Sequence, residues 1–283
     1  MHNTVITINA RIHGANAYHG YIIGLPTLPS VWGFLHATGL GVSESLSQEV
    51  NFEAFSVAYK DFSLLGRCSL SQNEIRYSGM VKKANFNPPI IERPKSTFEV
   101  SVVIYTEHSD LLTPEGILKA LSNKLDGSRF SGGTVELLDI NISDSYEKAL
   151  SLVDENSFWI CDYNAENKHD DDRFGEMPPN EKIKLLEDLT SVKLKYKFRN
   201  EDSDTNWYLP LINGYKGITE PKVKPFSRKG YPHMFAEPVI GIYRARLARS
   251  VKNILKKVED LDSLGLIFTN ESSSDSFCIK SST

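Results

Sequence analysis

The stretch Arg11-Ile-His-Gly-Ala-Asn-Ala-Tyr-His-Gly-Tyr-Ile-Ile-Gly-Leu-Pro-Thr-Leu-Pro-Ser-Val-Trp-Gly-Phe-Leu-His-Ala-Thr38 passes from an extended run, through a Gly- and Pro-punctuated loop, directly into an apolar helix. Two small-residue clusters, Gly14-Ala15-Asn16-Ala17 and Gly24-Leu25-Pro26, bracket the loop. Small residues let one backbone approach another chain closely, and a helix N-terminus with free N–H groups suits phosphate. Upstream, residues 4–12 alternate apolar and polar side chains around Val5, Ile6 and Ile8, the period of a half-buried strand. Downstream, residues 29–40 read as a compact helix, with Ser30 near its start and Gly41 after its end.

Working outward, residues 52–65 predict a second strand, followed by a hairpin over 67–76. Residues 97–106, rich in β-branched and aromatic side chains, predict a third. Thr113-Pro114-Glu115 supplies an N-cap, a proline at the first helical position and an acid in the first turn. These residues open a helix over 116–125 that stops at Asp126-Gly127. Residues 133–142 form the fourth strand. The order βαββαβ, with right-handed crossovers, predicts an α+β fold: a ferredoxin-like (RRM-type) domain over residues 1–142, with both helices on one face.

Residues 78–96 interrupt that pattern between the second and third strands. Three prolines forbid a regular helix there, and Lys82, Lys83, Arg93 and Lys95 beside Phe86 suggest a basic, aromatic arm; a surface loop is the competing reading. Residues 143–270 form an irregular α/β half. Helices are expected at 144–155 and 179–189, strands at 158–163 and 207–215, and a long basic amphipathic helix at 239–258. The Ser-rich residues 271–283 read as a disordered tail.

Composition is that of an ordinary globular chain, with 40% apolar and 24% charged residues among 283 and a formal charge of −4. The charge is unevenly spread. Residues 216–257 hold eleven Lys or Arg against Glu220 and Glu237, which fits either a polyanion-binding face or solvated helix surfaces. Cys68, Cys161 and Cys278 are widely spaced and outside any CxxC, arguing against a disulfide framework or zinc site. The N-terminal residues do not read as a signal peptide, and no apolar stretch is long enough for a bilayer. A cytoplasmic protein with no membrane contact is therefore expected.

The common signatures of nucleotide, zinc and hydrolase sites are absent. His169-Asp170-Asp171-Asp172 is more simply a solvated loop than a cation site, so no metal or other cofactor is expected. His13, His19 and His36 cluster around the opening stretch. One of them could act as general base on a ribose 2′-OH, but no partner acid or second catalytic group is evident in the sequence.

Four further segments belong with the opening stretch: Pro88-Pro89-Ile90-Ile91-Glu92-Arg93; Arg129-Phe130-Ser131-Gly132-Gly133-Thr134; Trp207-Tyr208-Leu209-Pro210-Leu211-Ile212-Asn213-Gly214-Tyr215; and Pro232-His233-Met234-Phe235-Ala236-Glu237-Pro238. In this order they resemble the family of the second Csy protein of type I-F CRISPR systems, over about residues 5–245. The family's ANA, GFP and GF.HAL motifs fall on Ala15-Asn16-Ala17, Gly24-Leu25-Pro26 and Gly33-Phe34-Leu35-His36-Ala37. Leu25 stands where the family has an aromatic and Thr38 where it has Leu, as in a divergent branch.

The resemblance implies a RAMP-superfamily, ferredoxin-like domain with a protruding thumb and no catalytic residues. Such a subunit caps the 5′ handle of the crRNA and pairs with the large subunit of the Csy (Cascade) surveillance complex. It abuts the backbone subunits and meets target DNA only indirectly. On that basis Arg11 and Asn16 are expected to contact the handle, with Gly14 and Gly24 shaping the loop. Lys82, Lys83, Arg93 and Lys95 would form the thumb, and Arg228, Lys229, His233 and Arg244 a basic face. The alternative is a metal-independent CRISPR repeat endonuclease of the same superfamily.

Overall fold

The computed structural model describes residues 2–19, 22–65, 94–108, 112–163, 184, 207–223, 232–255, 264–273 and 276–281. The expected hairpin at 67–76, most of the 78–96 insertion with Lys82, Lys83 and Arg93, the acidic loop at 169–172, the helix at 179–189 apart from residue 184, and Arg228 and Lys229 lie outside them.

Strand β1 (His2–Asn16) leads through a small β2–β3 hairpin (Tyr18–His19, Ile22–Ile23) into α1 (Leu28–Leu46). Then come β4 (Val50–Leu65), β5 (Lys95–His108), α2 (Pro114–Leu125), β6 (Arg129–Phe130) and β7 (Gly133–Ser143). The fold is α+β around a large antiparallel sheet, as expected. The four long strands of this half lie in the order β4-β5-β1-β7, every neighbour antiparallel.

Alternation along β1 dictates where the helices go. Ile6, Ile8, Ala10 and Ile12 are buried against Leu28, Val31, Phe34 and Leu35 of α1 and Ile117 and Leu121 of α2, so both helices share one face. Thr113 caps α2, its Oγ1 accepting the Gly116 N–H at 3.2 Å. Removing that cap would cost about 1 kcal/mol. Helix α1 outruns its expected end at Leu40 and stops at Ser47, which takes the left-handed conformation. Gly39 and Gly41 do not terminate it. They make room instead: a Cβ at Gly39 would touch the Phe52 ring, and one at Gly41 would meet the Lys124 side chain.

The second half differs from expectation in three places. Residues 239–258 are not one helix: β12 (Ala236–Leu247) precedes a short α4 (Ala248–Leu255). Val239-Ile240-Gly241-Ile242-Tyr243 is β-branched and Gly-bearing and pairs with β9 (Trp207–Gly217), while residues 243–247 of β12 also pair with β8 (Phe158–Asp162). Nor is 271–283 a disordered tail throughout. After β13 (Phe268–Asn270), β14 (Ser276–Ser281) pairs with both β13 and β9, and Ile279 is fully buried. The expected 144–155 helix is shortened to α3 (Tyr146–Ser151).

Because β13 also pairs with β4, strands β4-β8-β12-β9-β14-β13 close on themselves. All six contacts are antiparallel, which an even number of strands permits, and closure covers the free edge of β13. Phe268 packs against Phe55 and Tyr243, with ring centroids 5.7 and 6.0 Å apart. Ser281 donates to Asp162 at 3.0 Å, tying two strands that are not neighbours in the ring. On the reverse face, Val5, Ala58, Val103, Trp159 and Cys161 are covered by Ala149 and Leu150 of α3, Ala248 and Val251 of α4, and Leu264 and Leu266. Among the described residues, no helix is long and apolar enough to cross a membrane.

Candidate nucleic-acid interface

Among the described residues, the reverse face is covered at the His2 end of β1. Toward Asn16 it carries polar side chains, and these form an ion-pair lattice. Arg11 donates to Glu99 at 2.6 Å and stands 3.9 Å from Glu136; His13 Nε2 meets Glu136 at 2.8 Å. Lys60 lies 3.6 Å from Glu99 and 3.0 Å from Asp154. The hydrogen bond from Arg11 holds the Glu99 carboxyl below the usual carboxylate range, and Glu99 in turn raises the Arg11 guanidinium. Arg11 is thus hydrogen-bonded to Glu99 and within ion-pair range of Glu136, and a phosphate on this face would compete with both carboxylates.

A different arrangement sits at the end of the strands. Gly14 adopts φ +69° at a bulge in the β1–β5 pairing and turns the chain past the sheet. Asn16 follows, in register with Lys95 at the start of β5. Lys95 Nζ donates to Asn16 Oδ1 at 2.6 Å, and the Asn16 N–H donates to the Ser131 carbonyl at 2.8 Å. Ala17 N–H reaches the Pro94 carbonyl at 3.0 Å, and Gly24 N–H closes the small hairpin on Ala17 O at 3.0 Å. Ser131 and Gly132 form the two-residue turn between β6 and β7, both at positive φ. Arg129, exposed beside that turn, reaches Gly132 O at 3.4 Å and Thr134 Oγ1 at 3.3 Å.

Three segments far apart in sequence therefore converge on one amide and two cations: Asn16, Lys95 and Arg129. Lys95 spends one donor on Asn16, and Arg129 makes only long bonds. This chemistry suits the phosphates and base edges of a single strand. Close backbone packing holds it together. A Cβ on Gly133 would lie 2.7 Å from Ala15 N and 2.8 Å from His13 O. Gly133→Ala is expected to destabilise the chain by about 2–4 kcal/mol. Thermal denaturation would show this as a clear fall in Tm, and an unchanged Tm would refute the packing.

The helix N-terminus does not offer the expected anion site. Thr27 takes the Ser30 N–H on Oγ1 and the Val31 N–H on its carbonyl, Pro29 has no N–H, and Leu28 is fully buried. His233 lies on β11 (Pro232–His233) opposite Lys222 of β10 (Lys222–Val223), and Arg244 lies on β12 between Cys161 and Tyr208. The β1 strand-end cluster includes neither of them. Of the three histidines, His36 is exposed on α1, His13 faces Glu136 on the opposite side of the sheet, and His19 sits in the β2–β3 hairpin.

Burial lowers the His19 pKa, so the folded chain holds this imidazole neutral. Its contribution is full above the unfolded value near 6.5 and is lost as pH falls through 6.5 toward the folded value. Melting at pH 7.5 and 5.5 should show a larger loss for the wild type than for His19→Phe.

The family model described as CRISPR-associated protein (Cas_Csy2) matches residues 5–261. The chain belongs to the Cas_Csy2 family. It is accordingly a Csy-complex subunit of a type I-F CRISPR system. No curated protein matches it. The Cas_Csy2 match takes in β1 through α4 and stops short of β13 and β14, the strands that close the ring.

Proposed function

We propose that this Cas_Csy2-family subunit is a non-catalytic clasp on the 5′ handle of the crRNA, working in the cytoplasm beside the large and backbone subunits of the Csy complex. One observation carries the reading: Asn16 and the Arg129–Gly132 turn, both on segments that resemble the family, meet Lys95 at a single strand end. The β4-β5-β1-β7 order with both helices on one face supports a ferredoxin-like, RAMP-type domain over residues 1–142 with the 78–96 insertion as its thumb; residues 143–270 would extend it. Arg11 stands beside the clasp and steadies β1 through Glu99. Lys82, Lys83, Arg93, Arg228, Lys229, His233 and Arg244 are proposed as outlying phosphate contacts.

In a mobility shift, the purified chain should retain handle RNA intact. With the clasp cations and the outlying contacts together, about seven to nine in all, affinity should fall roughly 10³- to 10⁴-fold between 50 and 200 mM salt. A flat salt response would overturn the reading.

The endonuclease alternative gains one observation, because His13 has a carboxylate partner in Glu136 at 2.8 Å. Metal-free cleavage of repeat RNA that disappears in His13→Ala would establish that activity in place of the clasp.

A further inference from the structure

The Asn16 amide has a fixed orientation. A lysine ammonium carries only donors, so Asn16 must offer Lys95 its Oδ1, and the 2.6 Å hydrogen bond between them settles the choice. Nδ2 is then turned to the β6–β7 turn, where a Cβ on Gly132 would lie 2.7 Å from it. A larger residue at that position would take the space the amide donor uses. Past Gly132, whose carbonyl lies 3.4 Å from the Arg129 guanidinium, the same contact reaches the second cation. Lysine and arginine have no acceptor, and Asn16 has spent its own. The three side chains therefore offer donors alone.

Two further observations bear on what they take. The segments that build this cradle, residues 14–17, 94–95 and 129–134, contain no Asp or Glu to neutralise Lys95 and Arg129. Their one aromatic, Phe130, is fully buried against Phe34 and Phe98, with ring centroids 5.0 and 6.1 Å away, and gives a base nothing to stack on. Tyr18, the next aromatic along the chain, is half-buried and belongs to the separate β2–β3 hairpin.

Most base edges mix donors with acceptors, whereas the non-bridging oxygens of a phosphodiester only accept and carry the charge that two cations favour. The N7/O6 edge of guanine also only accepts, but it suits a coplanar pair of donors from one side chain. Here the donors come from three strands, β1, β5 and β6, an arrangement that fits a tetrahedral group.

We propose that the Asn16–Lys95–Arg129 cradle grips phosphate oxygens and reads neither base nor sugar at that point of the strand. The proposal rests on the handle-binding reading and specifies its chemistry: base selectivity of the subunit resides outside the cradle.

The test is a methylphosphonate scan of the handle RNA, in which one linkage at a time loses its charge, with affinity measured for the wild type and for Lys95→Ala. One linkage should cost the wild type about tenfold and Lys95→Ala less than about threefold, the coupling of a direct charge-assisted contact. Abasic, 7-deazaguanine and 2′-deoxy substitutions beside that linkage should affect the two proteins equally. Asn16→Asp keeps a partner for Lys95 but replaces the Nδ2 donor with a carboxylate oxygen, so it should bind more weakly than Asn16→Ala.

A base or sugar substitution that costs the wild type about tenfold and Lys95→Ala less than about threefold would overturn the proposal, because the cradle would then read that group. A wild type that binds handle RNA with no linkage coupled to Lys95 refutes the phosphate cradle alone. One that binds no handle RNA refutes the capping reading itself.

Discussion

Ending the chain at Asn270 is expected to lower Tm by about 10–20 °C or to leave the protein insoluble. Residues 271–283 include β14, which contributes the buried Ile279, two antiparallel ladders and the Ser281–Asp162 hydrogen bond. Losing a buried Ile costs about 2–5 kcal/mol and each ladder hydrogen bond about 1 kcal/mol net. The sum, on the order of 5 kcal/mol or more, is a large share of an ordinary domain's stability. Without β14, Phe268 and the β9 edge would also face water.

A local version of the test is Gly214→Ala. Its Cβ would collide with the Phe277 carbonyl and push β14 off β9. Differential scanning calorimetry on both variants checks the point. A truncated chain melting within 2 °C of full length would mean that the ring is not closed in solution.

The second large effect is expected at the clasp. Lys95→Ala should weaken handle-RNA binding about 10- to 100-fold, the range of a charge-assisted hydrogen bond lost from an interface. It should also flatten the slope of log affinity against log salt by about 0.7, the value of one single-strand phosphate contact.

Asn16→Ala should cost less and combine with Lys95→Ala less than additively, because the amide works in part by holding the ammonium at 2.6 Å. Arg11→Ala should change affinity less than threefold, because its guanidinium is already engaged by Glu99 and Glu136. Titrations at four salt concentrations separate these outcomes. A strong Arg11 effect beside a silent Lys95 would move the interface onto the reverse face of the sheet.

Local chemistry is legible in the sequence, and the strand pairing of the second half is not. Thr113-Pro114-Glu115 reads as a helix start because every cue lies within three residues, and the structure makes Thr113 the cap. The strands around Ile6–Ile8 and Val100–Ile104 announce themselves by alternation or by β-branching. The 239–247 segment misleads because Arg244, Arg246 and Arg249 fit a helical face as readily as a strand. Its true state is set by β8 and β9, far away in sequence. The local warnings are the β-branched Val239, Ile240 and Ile242 and the Gly241 between them, where a Cβ would meet the Tyr243 ring at 2.8 Å.

At 271–283, the run Glu271-Ser-Ser-Ser-Asp275 hides the alternation Phe277, Ile279, Ser281, which becomes meaningful only once β9 and β13 are beside it.

The clasp divides in the same way. Asn16 is conspicuous in its motif, and Lys95 was singled out as one of the thumb cations. Their hydrogen bond spans 79 residues and depends on the β1–β5 register. The Arg129–Gly132 turn stood out as a motif, but its role follows from Gly133 packing against Ala15 and from the Asn16 N–H on Ser131. The Glu136 partner of His13 was likewise out of reach, being 123 residues away.

The most direct measurement is photocrosslinking in the assembled Csy complex, with 4-thiouridine placed along the 5′ handle of the crRNA and crosslinked peptides mapped by mass spectrometry. The clasp predicts crosslinks within residues 14–24, at 94–95 and across 129–134. Crosslinks confined to the face around Asn9, Arg11, Lys60 and Glu99, or found only on other subunits, would contradict it.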